Sequence, residues 1–97
     1  MPIGLCLIEL RFPDATSLKD KRRIMKSIID RTRHRFNISI AEVSMQESLQ
    51  KASLAITTVS SSTPLTQSTL TNVVNFIEST RLDIEILDYN IDISHAF

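Results

Sequence analysis

Four stretches of this 97-residue chain alternate their side chains as strands do, and two repeat apolar residues at helical spacing. Their order, β-α-β-β-α-β, predicts an α+β domain of the ferredoxin-like kind: a split sandwich whose four-stranded antiparallel sheet carries two helices on one face. Right-handed crossovers place the first and third strands in the middle of that sheet. The length suits a single domain over residues 1–97, large enough to fold unaided but of modest stability.

The first strand covers Ile3 to Phe12. Its even positions, Cys6, Ile8, Leu10 and Phe12, are apolar throughout and form the natural face for the helices. Its odd positions run from Ile3, Leu5 and Leu7 to Glu9 and Arg11, and Pro13 ends it. The first helix follows, from Ser17 to Arg35, with Ser17 as N-cap and Asp20 supplying negative charge in the first turn. Leu18, Met25, Ile29, Thr32 and Phe36 make the core stripe, widened by Ile24 and Ile28. Lys19, Arg22, Arg23, Lys26, Asp30 and Arg33 fall within about 60° of one line on the opposite face.

Lys21 breaks this division, because it projects from the core side of the helix. Two readings compete. In the one the sequence favours, its methylenes cover the core edge and the ammonium reaches water. In the other, the ammonium is tethered to a carboxylate on the sheet, Glu9 or Glu42.

Phe36 to Val43 is the second strand, with Ile38, Ile40 and Glu42 on one face and Ala41 and Val43 on the other. Residues 44–51 form an irregular hairpin loop and a candidate mobile segment. Ala52 to Ser60 is the third strand. The hydroxyl run Ser60 to Thr63 reads as a capping loop more readily than as a phosphate site. Thr63, with Pro64 at the first helical position, starts a second helix that runs to Ser79 on a stripe of Leu70, Val73, Val74 and Ile77. Its outer face is polar and nearly uncharged. The last strand, Ile84 to Ile93, sets Leu87, Tyr89, Ile91 and Ile93 against Ile84, Ile86, Asp88, Asn90 and Asp92; Ser94 to Phe97 is expected to be a loose tail.

Eleven Lys/Arg balance eleven Asp/Glu, yet residues 11–35 hold nine bases against three acids, and the remainder two against eight. The even total argues against a generic polyanion binder. The segregation permits a local basic face, and it also suits two copies meeting through surfaces of opposite sign. The single Cys6 excludes an intrachain disulfide and fits a reducing compartment. No stretch approaches the roughly 18 apolar residues of a membrane span, and residues 1–10 lack the pattern of a signal peptide. A cytoplasmic protein with no membrane contact is expected.

Gly4, the lone glycine, rules out a Gly-rich phosphate loop, and His34, His95 and Cys6 form no metal-ligand spacing. No metal, cofactor or catalytic residue is expected, because a salt bridge to Lys21 or Arg22 explains Glu9 and Glu42 more simply than acid–base catalysis. An RNA-recognition sheet would show aromatic residues on its central strands; the first strand has only Phe12 and the third has none. Any nucleic acid would therefore meet the basic helix through its phosphates, without base readout.

Two motifs carry a family resemblance. Ser17-Leu18-Lys19-Asp20-Lys21-Arg22-Arg23 is similar to a Ser-Leu-Lys-acid-Lys-Arg signature, and Arg35-Phe36-Asn37-Ile38-Ser39-Ile40-Ala41-Glu42-Val43 to a second one, followed by Ala52 and Val59-Ser60-Ser61. The chain resembles the DUF503, or YlxP-like, family of small bacterial proteins, often encoded beside translation and ribosome-assembly factors. The resemblance implies a ferredoxin-like fold, no established activity, and a suspected link to ribosome maturation. It marks Ser17, Lys19, Lys21, Arg22, Asn37, Ser39 and Glu42 as recurring polar positions. The chain departs from the family at Met45 to Gln50, where an acidic and aromatic loop is common, and at Ser62, where an Asp is common.

Two functional expectations result. The first is a non-catalytic module that binds rRNA or a ribosomal particle through Lys19, Arg22, Arg23, Lys26, Arg31 and Arg33, with Ser17, Lys21, Asn37 and Glu42 as structural ion-pair or motif residues. The second is a homodimer or protein-interaction domain that uses the helix-free sheet face, with Leu5, Leu7 and Ala41 or Ile38 at the interface.

Overall fold

The core is built around β1 (Pro2–Arg11), whose inward side chains Cys6, Ile8 and Leu10 are wholly buried, as is Phe12 just beyond its end. The computed structural model describes residues 1–80 and 83–97. After β1 come α1 (Leu18–Arg35), β2 (Ser39–Ser44), β3 (Lys51–Val59), α2 (Thr63–Thr80) and β4 (Glu85–His95). The sheet order is β2-β3-β1-β4 with every pairing antiparallel, which is the ferredoxin-like arrangement expected. Both helices cover the face that carries Cys6, Ile8 and Leu10, together with Ile40 of β2 and Ala52, Leu54 and Ile56 of β3.

The ends of α1 are set locally. The Ser17 hydroxyl accepts the Asp20 backbone N–H at 3.0 Å, and at the far end the Phe36 backbone N–H reaches Thr32 O. The start of α2 differs from expectation. Ser62 is its N-cap, since its hydroxyl accepts the Leu65 N–H at 3.2 Å, and Pro64 therefore stands at the second helical position. The Ser60 hydroxyl in turn donates to Ser62 O at 2.8 Å and lies 2.7 Å from the Thr66 hydroxyl, so the hydroxyl run is a capping network.

β4 departs from a plain alternation. The pairing steps from Glu9–Asp88 to Leu10–Ile86, which leaves Leu87 as an extra residue in a bulge. Ile86 thereby joins Tyr89, Ile91 and Ile93 on the helix side instead of standing with Asp88, Asn90 and Asp92. The expected loose tail is also corrected. Ser94 and His95 continue the strand opposite Ile3 and Pro2, and Met1 and Ala96 exchange backbone hydrogen bonds of 2.6 and 2.9 Å. Ile38 packs partly buried against the core, which removes it from the open sheet face and leaves Ala41 there.

Gly4 has a purely steric role. A Cβ at this position would lie 2.5 Å from Thr66 Cγ2 and 2.7 Å from Leu70 Cδ1, both on α2. Thr66 and Leu70 are wholly buried, so neither can move aside. Replacing Gly4 with alanine is expected to destabilise the protein by about 1–3 kcal/mol through overpacking. A lower urea midpoint at unchanged slope in circular dichroism would record it.

Candidate functional site

Local sequence dictates a two-sided α1, and the fold turns its basic side to solvent. Lys19, Arg22, Arg23 and Lys26 are exposed and, with Thr16, Ser17 and Asp20, line an open groove of about 580 Å³ along the first turns of the helix. Two cations in this row are partly neutralised within the helix. Arg23 pairs with Asp20 at 2.5 Å and Lys26 with Asp30 at 2.8 Å. The Lys26 hydrogen bond to Asp30 holds that carboxyl below its usual range. Lys19 and Arg22 form no ion pair among the described residues and remain available to an anion.

Arg33 extends the row toward β2, where its guanidinium reaches Ile40 O at 3.4 Å. Arg31 does not join it. It lies with Asp30, His34, Arg35 and Phe76 in a second groove of about 500 Å³ between the helices. There the Arg35 guanidinium sits 5.4 Å over the Phe76 ring, and Phe36 meets the same ring edge-to-face at 5.5 Å. The Arg35–Phe76 contact was not legible in the sequence, because it joins two helices far apart along the chain.

Lys21 is the structural centre of the face. It is 1 % exposed, so the snorkelling reading is overturned. Its ammonium donates to Met45 O, Ser48 O and Lys51 O, each at 2.7 Å, and stands 3.5 Å from Glu42 Oε2. Three protons meet three carbonyls, and the carboxylate contributes charge without a hydrogen bond, which leaves Oε2 buried and otherwise unsatisfied. The tether is therefore to Glu42. Glu9 lies at an odd position of β1, on the sheet face away from the helices, and cannot reach.

The same contacts correct the view of residues 44–51 as a mobile segment. Met45 adopts a left-handed backbone (φ 62°), Ser48 N–H closes a turn onto Met45 O at 3.0 Å, and the buried ammonium fastens both ends of that turn. Backbone carbonyls carry no sequence signature, so these partners could not be named in advance. Of the other motif residues, Asn37 offers its carbonyl to the Thr58 hydroxyl at 3.1 Å. Cys6 is buried, and burial pushes its thiol up to about 11, which makes it a core residue and not a nucleophile at neutral pH. No group of three or more His, Cys, Asp or Glu able to hold a metal occurs among the described residues, and no described helix is long and apolar enough to cross a membrane.

A small ferredoxin-like sheet with a basic leading helix, latched to its hairpin by a buried lysine, defines the class. The chain belongs to the DUF503 family of proteins of unknown function, whose model matches residues 3–91. It is 42 % identical over 77 residues to the uncharacterized protein YlxP of Bacillus subtilis strain 168, a match covering 79 % of this chain and 84 % of that relative. Among solved structures it is similar to the de novo designed protein Foldit4, over the whole of both chains, with a TM-score of 0.54 at 8 % identity. That last likeness concerns the fold alone.

Substituting Lys21 with methionine keeps the stem and removes the charge, leaving three carbonyls and the Glu42 carboxylate buried without a counter-ion. The expected loss is about 3–5 kcal/mol, the usual consequence of breaking one side of a buried pair. Chemical denaturation measures it, and faster proteolysis within residues 45–50 is expected in the same variant.

Proposed function

We propose that this protein is a non-catalytic cytoplasmic module that docks onto structured RNA, such as rRNA in a ribosomal particle, through the exposed face of α1. The observation that carries the reading is the row of Lys19, Arg22, Arg23, Lys26 and Arg33, interrupted by Asp30, on one helix in a chain that is otherwise acidic. A helix holds cations about 5–6 Å apart at positions three and four along, close enough to follow successive phosphates. Arg31 adds a cation to the neighbouring groove and does not extend the row. The non-catalytic part of the reading is supported by Lys21 and Glu42. The acid–base pair that an enzyme would use is committed to fastening a loop.

Binding of this kind is electrostatic. For about four contacted phosphates, affinity should fall about a hundredfold between roughly 50 and 200 mM salt. A variant with Lys19, Arg23 and Lys26 each changed to glutamate should lose binding to rRNA fragments in fluorescence anisotropy while keeping its circular dichroism spectrum. Unchanged affinity in that variant would refute the reading.

A second reading, a homodimer through the helix-free sheet face, is favoured by the exposure there of Leu5, Leu7 and Val59, each between 39 % and 59 %. The part of the β2–β3 half formed by Ser39, Ala41, Ala55 and Thr57 carries no charge, Lys51 standing at the far end of β3 beside Arg11, so a second copy could meet that part about a two-fold axis without opposing like charges. Sedimentation at tens of micromolar should then give twice the monomer mass, reverting to monomer in a Leu5→Lys, Leu7→Lys variant.

A further inference from the structure

The sheet ends on one side at β4, an edge strand of 11 residues. Edge strands that must stay unpaired are usually short or carry lysine or proline. β4 has neither residue, and beyond its bulge it runs regularly from Asp88 to His95. Which of its backbone groups face outward follows from the pairing at the chain ends. Met1 and Ala96 exchange both of their hydrogen bonds. In an antiparallel pair, hydrogen-bonded and non-hydrogen-bonded positions alternate. Carried along the register, this turns the N–H and C=O groups of Asp88, Asn90, Asp92 and Ser94 toward β1. Those of Tyr89, Ile91, Ile93 and His95 turn away from the sheet. Two details agree. Pro2, which has no N–H, stands opposite His95, and the Tyr89 N–H is taken by the Asp88 side chain at 2.9 Å instead of by β1. Ile91, Ile93 and His95 thus offer a continuous row of strand-pairing groups.

The charged side chains of β4 itself have one sign. Glu85, Asp88 and Asp92 are exposed on β4, Glu9 is exposed next to Asp88 on β1, and β4 contains no lysine or arginine. Of these, only Glu85 has a basic partner among the described residues, Arg11 at 2.8 Å. Beside Asp92 and Asn90 stand the exposed Leu5 and Leu7. We propose that the β4 edge takes up an extended basic segment of a partner protein as a fifth strand, its main chain pairing with Ile91, Ile93 and His95 and its lysine or arginine side chains lying across Asp88 and Asp92. This is strand addition, in which backbone pairing supplies affinity and alternate side chains supply specificity. A second copy of this chain does not fit the edge. Pairing two β4 strands about Asn90 sets Asp88 directly against Asp92, and pairing about Ile91 sets the two Asp92 side chains on a diagonal, so only like charges meet. The surface lies on the sheet, apart from the α1 row, and does not depend on RNA binding.

The test uses the full chain and a synthetic peptide that alternates lysine with valine over about nine residues, one strand length. Binding is followed by NMR at low salt, with hydrogen exchange read at single amides. The expected result is saturable binding that slows exchange at Ile91, Ile93 and His95 by about tenfold or more, with no change along α1. A peptide of the same composition, N-methylated at alternate residues so that it cannot pair, should not bind. The Asp88→Lys, Asp92→Lys variant, folded by its own spectrum, should bind about tenfold more weakly or worse. Binding without protection of those amides would overturn the proposal and leave only charge attraction. So would equal binding of the N-methylated peptide, equal binding by the variant, or no binding at low salt. Protection of the same amides in the free protein at rising concentration would assign the edge to a second copy instead.

Discussion

A lysine ammonium cannot enter a protein interior unless something replaces its water. In this chain the replacement is three backbone carbonyls and one carboxylate, and much of the molecule's arrangement depends on supplying them. Lys21 is the first buried residue along α1, and its contacts tie the helix to the β2–β3 hairpin. The loop must bend to bring Met45 O, Ser48 O and Lys51 O to one point, and a left-handed Met45 is part of that bend. Glu42, placed inward by the alternation of β2, supplies the opposite charge without competing for a proton. The other cations of the row point outward because helical spacing puts them on the opposite face of α1.

The outcome is a molecule of zero net charge whose charges are unevenly placed. Basic residues line the outer side of α1, and acidic residues gather at the β1–β4 edge. Net charge alone would predict indifference to charged partners, whereas local fields decide encounter and orientation within a Debye length of about 8–10 Å. Each surface can therefore favour a partner of opposite charge. Neither requires the other.

Packing on the helix side is correspondingly tight. The single glycine lets α2 approach β1 through Thr66 and Leu70, and the serines ahead of α2 cap it and tie its first turn down. This is why a helix with a mediocre set of helix formers and a nearly neutral outer face holds its place: local hydrogen bonds fix its start and a wholly buried stripe of Leu70 and Val73, with Ile77 beside it, holds its length.

The sequence by itself determined the element order, the sheet arrangement, the inward faces of β1 and α1, the Ser17 cap and the basic row, because each rests on a local period or a cap chemistry written in consecutive residues. The side of Glu9 was equally readable from the alternation of β1, and it rules that residue out as a partner of Lys21. The tertiary structure alone decided what depends on residues far apart. Lys21 found backbone carbonyls, which every residue possesses and no sequence distinguishes. A single extra residue at Leu87 moved Ile86 to the helix side, since a shift of one position exchanges the faces of a strand. The tail became strand because Met1 and Pro2 lie beside it. Ile38 went to the core and Ala41 to the open face, and Arg31, expected with the other cations to meet RNA, lines a groove shared with Phe76. Periodicity assigns a residue to a side of its own element; only the assembled sheet and helices decide what that side meets.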